Sequence, residues 1–311
     1  MFGDVGDAAL LHQLAEQPAV VASAALLPFW HDALAALPAA PFGALYRDIL
    51  AAHGALTAPN GSDAPGAPPV AVLASCGEAQ QDLCSKVLHF YQLGCAHAPG
   101  ALYVLAAALL QAGLEACPAL CQHILAPHPA ARPGRRTFTS ATAGAAGHVR
   151  VEVATGLLPF AEMAALVRAL KLGGARPYVI SASHQTLVRA AAQTFGFDIP
   201  QEQIFGMRPD AQRQGQYPAT WGAGKSEVIR RFLPQPPVLV GGDAMTDLDM
   251  LLSFEKTLVR LFINRPSGQQ ALAALRRAAA PHRATLVQGQ DGRTGRFNGQ
   301  EAHTGYAARA P

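Results

Sequence analysis

Apolar positions recur at helical intervals through the first part of the chain. Ala8 to Gln17, Phe29 to Ala36 and Phe42 to His53 each carry a one-sided apolar stripe, formed in the last by Leu45, Ile49 and Leu50. Pro28, Pro38 and Pro41 separate these pieces, and Gly54 is a natural stop for the third. A Pro/Gly/Ser/Asp stretch from Thr57 to Pro69 reads as a linker. It leads into a short apolar run, Pro69-Val-Ala-Val-Leu73, with the length and composition of a strand. Ala- and Leu-rich helical periodicity then fills residues 77–131, and Ala130 to Gly147, rich in Arg, Pro, Gly, Thr and Ala, reads as a partly mobile linker.

From Val149 onward the pattern changes to strand–helix alternation. Helices are predicted over Glu162–Lys171, Gln185–Thr194, Ser226–Leu233 and Asp247–Ser253. Strands are predicted over Pro177–Ile180, Ile204–Met207, Val238–Val240 and Thr257–Ile263. Such alternation implies an α/β fold, a parallel sheet flanked by helices on both faces. The last residues, Gln288 to Pro311, are Gly/Arg/Gln-rich without apolar periodicity and read as a flexible tail in which Phe297 packs back. The expected organisation is therefore an N-terminal helical segment and linker (1–67), a first core strand (68–76), a helical insertion with its return linker (77–148), the α/β core (149–287) and the tail (288–311).

Composition narrows the function classes. Of 311 residues, 50% are apolar and 14% charged, which is the balance of a globular chain with room for a large core and one accessory domain. The net charge of +3 is unclustered. Its densest basic patch, Arg132, Arg135 and Arg136, lies in a Pro/Gly loop, so no nucleic-acid partner is expected. No apolar run reaches the ~18–20 residues that span a bilayer; Ala101 to Leu110 reads as a buried helix, and no membrane partner is expected. The start, Met1-Phe-Gly-Asp-Val-Gly-Asp7, is acidic, a poor signal peptide, and a cytoplasmic location is the default. Five cysteines between Cys76 and Cys121 are irregularly spaced and do not form a disulfide framework. Cys117 and Cys121, with His123 and His128, fit zinc-knuckle spacing poorly. Oligomeric state is not legible.

The candidate chemistry lies at the ends of the predicted strands. Val238-Leu-Val240 runs into Gly241-Gly242 and then presents Asp243 and Asp247, four residues apart. Carboxylates just past a parallel strand sit where open α/β sheets bind ligands, and oxygen donors at this spacing suit Mg²⁺. A polar turn with an N-capping Asp accounts for the same residues. Tyr178-Val-Ile-Ser-Ala-Ser183 is a second strand ending in hydroxyls; Ser181 is placed either to donate to a phosphoryl oxygen or, like Ser183, to cap the next helix. Lys225, in Gly224-Lys225-Ser226, is either a point cation for phosphate or a solvated lysine.

In that order these three segments resemble motifs two, three and four of the haloacid dehalogenase (HAD) superfamily, in particular its phosphoserine-phosphatase-like branch. Gly156-Leu-Leu-Pro-Phe-Ala-Glu-Met163 and Ile204-Phe-Gly-Met-Arg208 add to the resemblance, which covers roughly residues 68–290. It implies a Rossmann-like core whose helical insertion caps the phosphate site, excluding water and selecting substrate. It also implies Mg²⁺-dependent hydrolysis of a small phosphorylated metabolite, with Asp243 as direct metal ligand, Asp247 as its support, and Ser181 and Lys225 holding the phosphoryl group.

The family's first motif, Asp-x-Asp after the first strand, is missing. The run after Leu73 is Ala74-Ser75-Cys76-Gly77-Glu78-Ala79, so Ala74 stands where the nucleophile belongs and Cys76 where the acid/base belongs. Losing acid/base help alone lowers rates typically ~10²–10⁴-fold. Cys76 has no Cys-x₅-Arg phosphate loop to activate it as a substitute. The resemblance thus implies a hydrolase that is inactive or impaired; the alternatives are a non-catalytic pseudophosphatase that binds a phosphorylated ligand or a protein, and a gene with a short deletion at the first motif.

Overall fold

A computed structural model describes residues 14, 17–57, 77–125, 134–155, 159–278, 284–291, 294 and 296–302. The expected first strand with Ala74 and Cys76, and most of the Ala8–Gln17 helix, lie outside the described residues. The chain is a mixed α/β protein with a helical N-terminal region and small parallel and mixed sheets.

Helices α1 (Leu27–Ala35) and α2 (Ala39–Thr57) precede the long pair α3 (Glu78–Cys95) and α4 (Pro99–Ala116) and the short α5 (Leu120–Leu125). Pro28 sits in the first turn of α1, where its missing N–H costs nothing. Gly54 does not stop α2, which continues to Thr57. Trp30, Phe42 and Phe90 pack edge to face at 5.2 Å and 5.3 Å, joining α1, α2 and α3 in one core with Leu102 and Leu105 of α4. The N-terminal helices and the insertion helices, separate segments in the sequence, therefore share one hydrophobic interior. Helix α4 contains the buried helix expected over Ala101–Leu110 and extends it at both ends. It is 18 residues, long and apolar enough to cross a membrane by length and composition, but its Leu102, Leu105 and Leu109 lie inside this core.

The stretch read as a return linker holds a strand. β1 (Gly134–Thr139) pairs antiparallel with β2 (Arg150–Thr155), and Val149, Val151 and Val153 point into the helical core. Asp48 of α2 accepts from the Ala145 and Ala146 N–H groups, and Asp82 of α3 from Thr142, so carboxylates from two helices hold the hairpin tip. Lys86 completes this clasp, donating to both Asp82 (2.6 Å) and Thr142 (2.7 Å).

The second half follows its predicted alternation closely. α6 (Ala161–Leu172) leads to β3 (Val179–His184), α7 (Gln185–Thr194), β4 (Ile204–Met207) and the short α8 (Pro209–Arg213). Then come α9 (Ala223–Phe232), β5 (Leu239–Gly242), α10 (Leu248–Leu252), β6 (Val259–Asn264), α11 (Gln269–Ala278), β7 (Ala284–Asp291) and β8 (Arg296–Phe297). β3 and β4 are parallel; β5, β6 and β7 form a second parallel set with β8 antiparallel on its edge. Among the described residues, β3 and β5 each have a strand on one edge only.

Alternation along β6 divides the interior. Leu261 and Ile263 join Met163 and Val167 of α6, whereas Phe262 joins Leu251 of α10 and Leu272 of α11. The same clusters draw in Val179 and Ile180 of β3, so the two parallel sets share interiors. The expected flexible tail begins as β7, completing the sheet beside β6, and Phe297 stacks on Phe160 at 6.0 Å. Its weak periodicity reflects its composition: Leu286 is exposed, and Thr285, Gln288, Gln290 and Asp291 are polar.

The helical part meets the 209–221 segment. Trp221 lies on α4, where a Cβ at Gly100 would come within 2.1 Å of its ring. Gln111 of α4 donates to Asp210 (2.8 Å), and Arg213 pairs with Asp32 of α1 (2.8 Å).

Candidate functional site

Chain turns, rather than long elements, assemble the acidic site at the end of β5. Gly242 has no side chain where one is impossible, since a Cβ there would lie 2.5 Å from that of Asp247. Asp247 folds back in this space, and its Oδ2 accepts from the N–H groups of Asp243 (2.8 Å) and Ala244 (3.1 Å). Gly222, at a positive φ of 52°, donates its N–H to the Thr246 carbonyl (2.9 Å). That contact fixes the start of α9 against the acidic turn, and Lys225 Nζ donates to Asp247 Oδ1 at 2.5 Å. Gly224 packs under it so closely that a Cβ would meet the Ala219 carbonyl oxygen at 2.0 Å.

A fourth charge completes the cluster. Arg265, immediately after β6, places Nε 2.9 Å from Asp243 Oδ2. None of Asp243, Asp247, Lys225 and Arg265 is more than 8% exposed. Burial alone raises the Asp243 carboxyl; surrounding positive charge, including Arg265 and Lys225, outweighs it and holds the group well below the usual carboxylate range. Asp243 is therefore an anion whose charge the chain itself compensates.

This donor set does not fit Mg²⁺. The ion takes carboxylate oxygens together with waters or phosphate oxygens. Here both Asp247 oxygens accept hydrogen bonds, Asp243 faces a guanidinium, and no group of three His, Cys, Asp or Glu side chains comes together among the described residues. The guanidinium stands against the carboxylate that the family resemblance would give to the metal.

The sequence-predicted residues thus separate. Lys225, Asp243 and Asp247 meet, and Lys225 is a buried ion-pair member rather than a solvated lysine. Ser181 does not join them: its Oγ accepts from the Ser183 N–H (3.2 Å), and no hydrogen bond links it to the acidic pair among the described residues. β3 runs on to His184 instead of ending at Ile180, so neither Ser181 nor Ser183 caps α7. Between Ile180, paired with Phe205, and His184, paired with Met207, the register slips, and the two serines lie in this bulge.

Two further features escaped sequence reasoning. Arg265 follows an ordinary apolar strand and carries no motif. His184, 9% exposed at the C-terminal end of β3, has an Nδ1 with no hydrogen-bond partner among the described residues. Burial lowers its pKa to about 4, so it is neutral at pH 7. Its position at a strand end was the one available signal.

No protein-family model matches the chain, and no curated protein matches it. Among solved structures it resembles the crystal structure of a conserved functionally unknown protein from Anaerococcus prevotii DSM 20548, with a TM-score of 0.70 and 19% identity, covering 97% of this chain and 86% of that one. At this identity the likeness concerns the fold alone.

Proposed function

We propose that this chain has a HAD-like core of the phosphomonoesterase kind, capped by its helical part, in which hydrolysis is lost or severely impaired and binding of a small phosphorylated metabolite is retained. The observation that carries this reading is the closed charge balance around Asp243 and Asp247. A working metal-dependent phosphatase needs its acidic pair available to a divalent ion that offsets phosphate charge. In this chain Arg265 and Lys225 already compensate the pair. The missing Asp-x-Asp in the sequence supports the same conclusion, since it removes nucleophile and acid/base together.

The remaining chemistry of these four residues is electrostatic and positional. Asp247 fixes the turn that carries Asp243, Lys225 neutralises Asp247, and Arg265 holds Asp243 ionised and in place.

The test is Mg²⁺-dependent hydrolysis of an aryl phosphate by the purified chain beside Asp243→Ala. Equal background rates are expected. Turnover at an ordinary phosphatase rate that disappears in the variant would reject the reading and point to an unrecognised nucleophile.

A further inference from the structure

Unbalanced positive charge is found elsewhere, at the C-terminal end of β4. Arg208 follows Met207, is exposed, and lays its guanidinium 4.5 Å from the centre of the Tyr217 ring. Its Nε donates to Gln185 Oε1 at 2.7 Å. Gln185 opens α7, and Arg189 lies four residues further on the same helical face. The glutamine that holds one arginine is therefore a helical neighbour of the second. Gly206 makes this possible, since a Cβ there would come within 2.5 Å of the Gln185 Cα. Tyr217 and Phe205 both pack on Phe232.

Neither guanidinium forms an ion pair with a carboxylate among the described residues; Glu202 acts on Arg189 only from a distance. Two polar atoms here, Arg189 Nε and Tyr217 Oη, are buried and have no hydrogen-bond partner among the described residues. Burial and the charge of Arg208 both lower the Arg189 pKa, and burial keeps Tyr217 a protonated donor. Among the described residues, these like charges sit beside a glutamine and a stacking ring with no carboxylate ion-paired to either. Guanidinium forks match the oxygens of phosphate and carboxylate groups bidentately.

We infer that Arg189, Arg208 and Tyr217 form an oxyanion-binding subsite, which takes the phosphoryl or carboxylate group of a small ligand without a metal ion. It is separate from the Asp243 cluster and does not depend on whether that cluster supports hydrolysis.

The experiment is calorimetric titration of the full chain, in EDTA, with inorganic phosphate and separately with malonate. Binding of phosphate identifies a phosphoryl subsite, and binding of malonate alone a carboxylate subsite; binding of neither overturns the inference. Arg208→Gln and Arg189→Gln should each weaken the bound anion at least tenfold. Arg208→Lys, which keeps the charge but loses the fork, should also weaken it. Arg208 is exposed, so its variants should melt with the native protein and keep the result interpretable. A charge-conserving change in the acidic cluster, Lys225→Met with Asp247→Asn, should leave affinity within about twofold. Anion binding that survives both arginine replacements, or that vanishes only in the acidic-cluster variant, would refute the assignment.

Discussion

At the end of β5, two buried carboxylates face two buried cations; at the end of β4, Arg189 and Arg208 lie beside Tyr217 with no acid ion-paired to either among the described residues. The first arrangement satisfies itself. Its Coulomb energy is spent within the chain, and an incoming metal or phosphate must displace a resident partner. The second retains net charge and unused donors. A strongly charged site at a strand end is thus not by itself a ligand site; what matters is whether its charge is already compensated.

The largest effect that sharpens this contrast comes from breaking the closed cluster. Lys225→Met should destabilise the protein by about 3–5 kcal/mol, because it leaves the Asp247 charge buried without its partner. Adding Asp247→Asn, which keeps an acceptor for the two backbone N–H groups, should recover most of that loss in urea unfolding. A similar penalty for Arg208→Gln would erase the distinction, since an exposed, uncompensated arginine should change stability by no more than about 0.5 kcal/mol.

The next effect is a pH dependence carried by His184. Its pKa is lowered from the ordinary 6.5 to about 4, so the unfolded chain takes up a proton first as pH falls. Stability from this group is full above pH 6.5 and declines between 6.5 and about 4, by on the order of 3 kcal/mol. Urea unfolding of the native chain and His184→Gln across this range should show the decline in the former and a flatter curve in the latter. Asp243 acts lower still: its depressed pKa contributes stability above the ordinary carboxylate value that is lost below it, and Asp243→Asn should flatten that acid limb.

The smallest effect is the response to magnesium. Millimolar Mg²⁺ should leave the melting temperature of the native chain unchanged, because a ligand stabilises only by binding the folded state. A clear upward shift that disappears in Asp243→Ala would show that Arg265 yields to the metal.

Much of the α/β half is legible in the sequence. Gln185 to Thr194 and Ile204 to Met207 have periodicity and punctuation that agree with their final states, whereas the strand expected over Val238–Val240 starts at Leu239 and runs through both glycines to Gly242. β1 and β7 escape because strands rich in polar or small residues lack the apolar alternation that marks a half-buried strand. Lys225, Asp243 and Asp247 could be singled out because glycines and strand ends frame them. Their pairing could not, since Lys225 reaches Asp247 over 22 positions, and Arg265 arrives from the next strand. The arginine subsite is less legible still: Gln185, Arg208 and Tyr217 meet only once α7 has packed on β4.

The most direct measurement titrates inorganic phosphate into the chain first in EDTA and then in Mg²⁺. The account predicts one binding event of equal affinity in both, abolished by Arg208→Gln and kept by Lys225→Met with Asp247→Asn. Binding that appears only with Mg²⁺ and is lost in Asp243→Ala would contradict it.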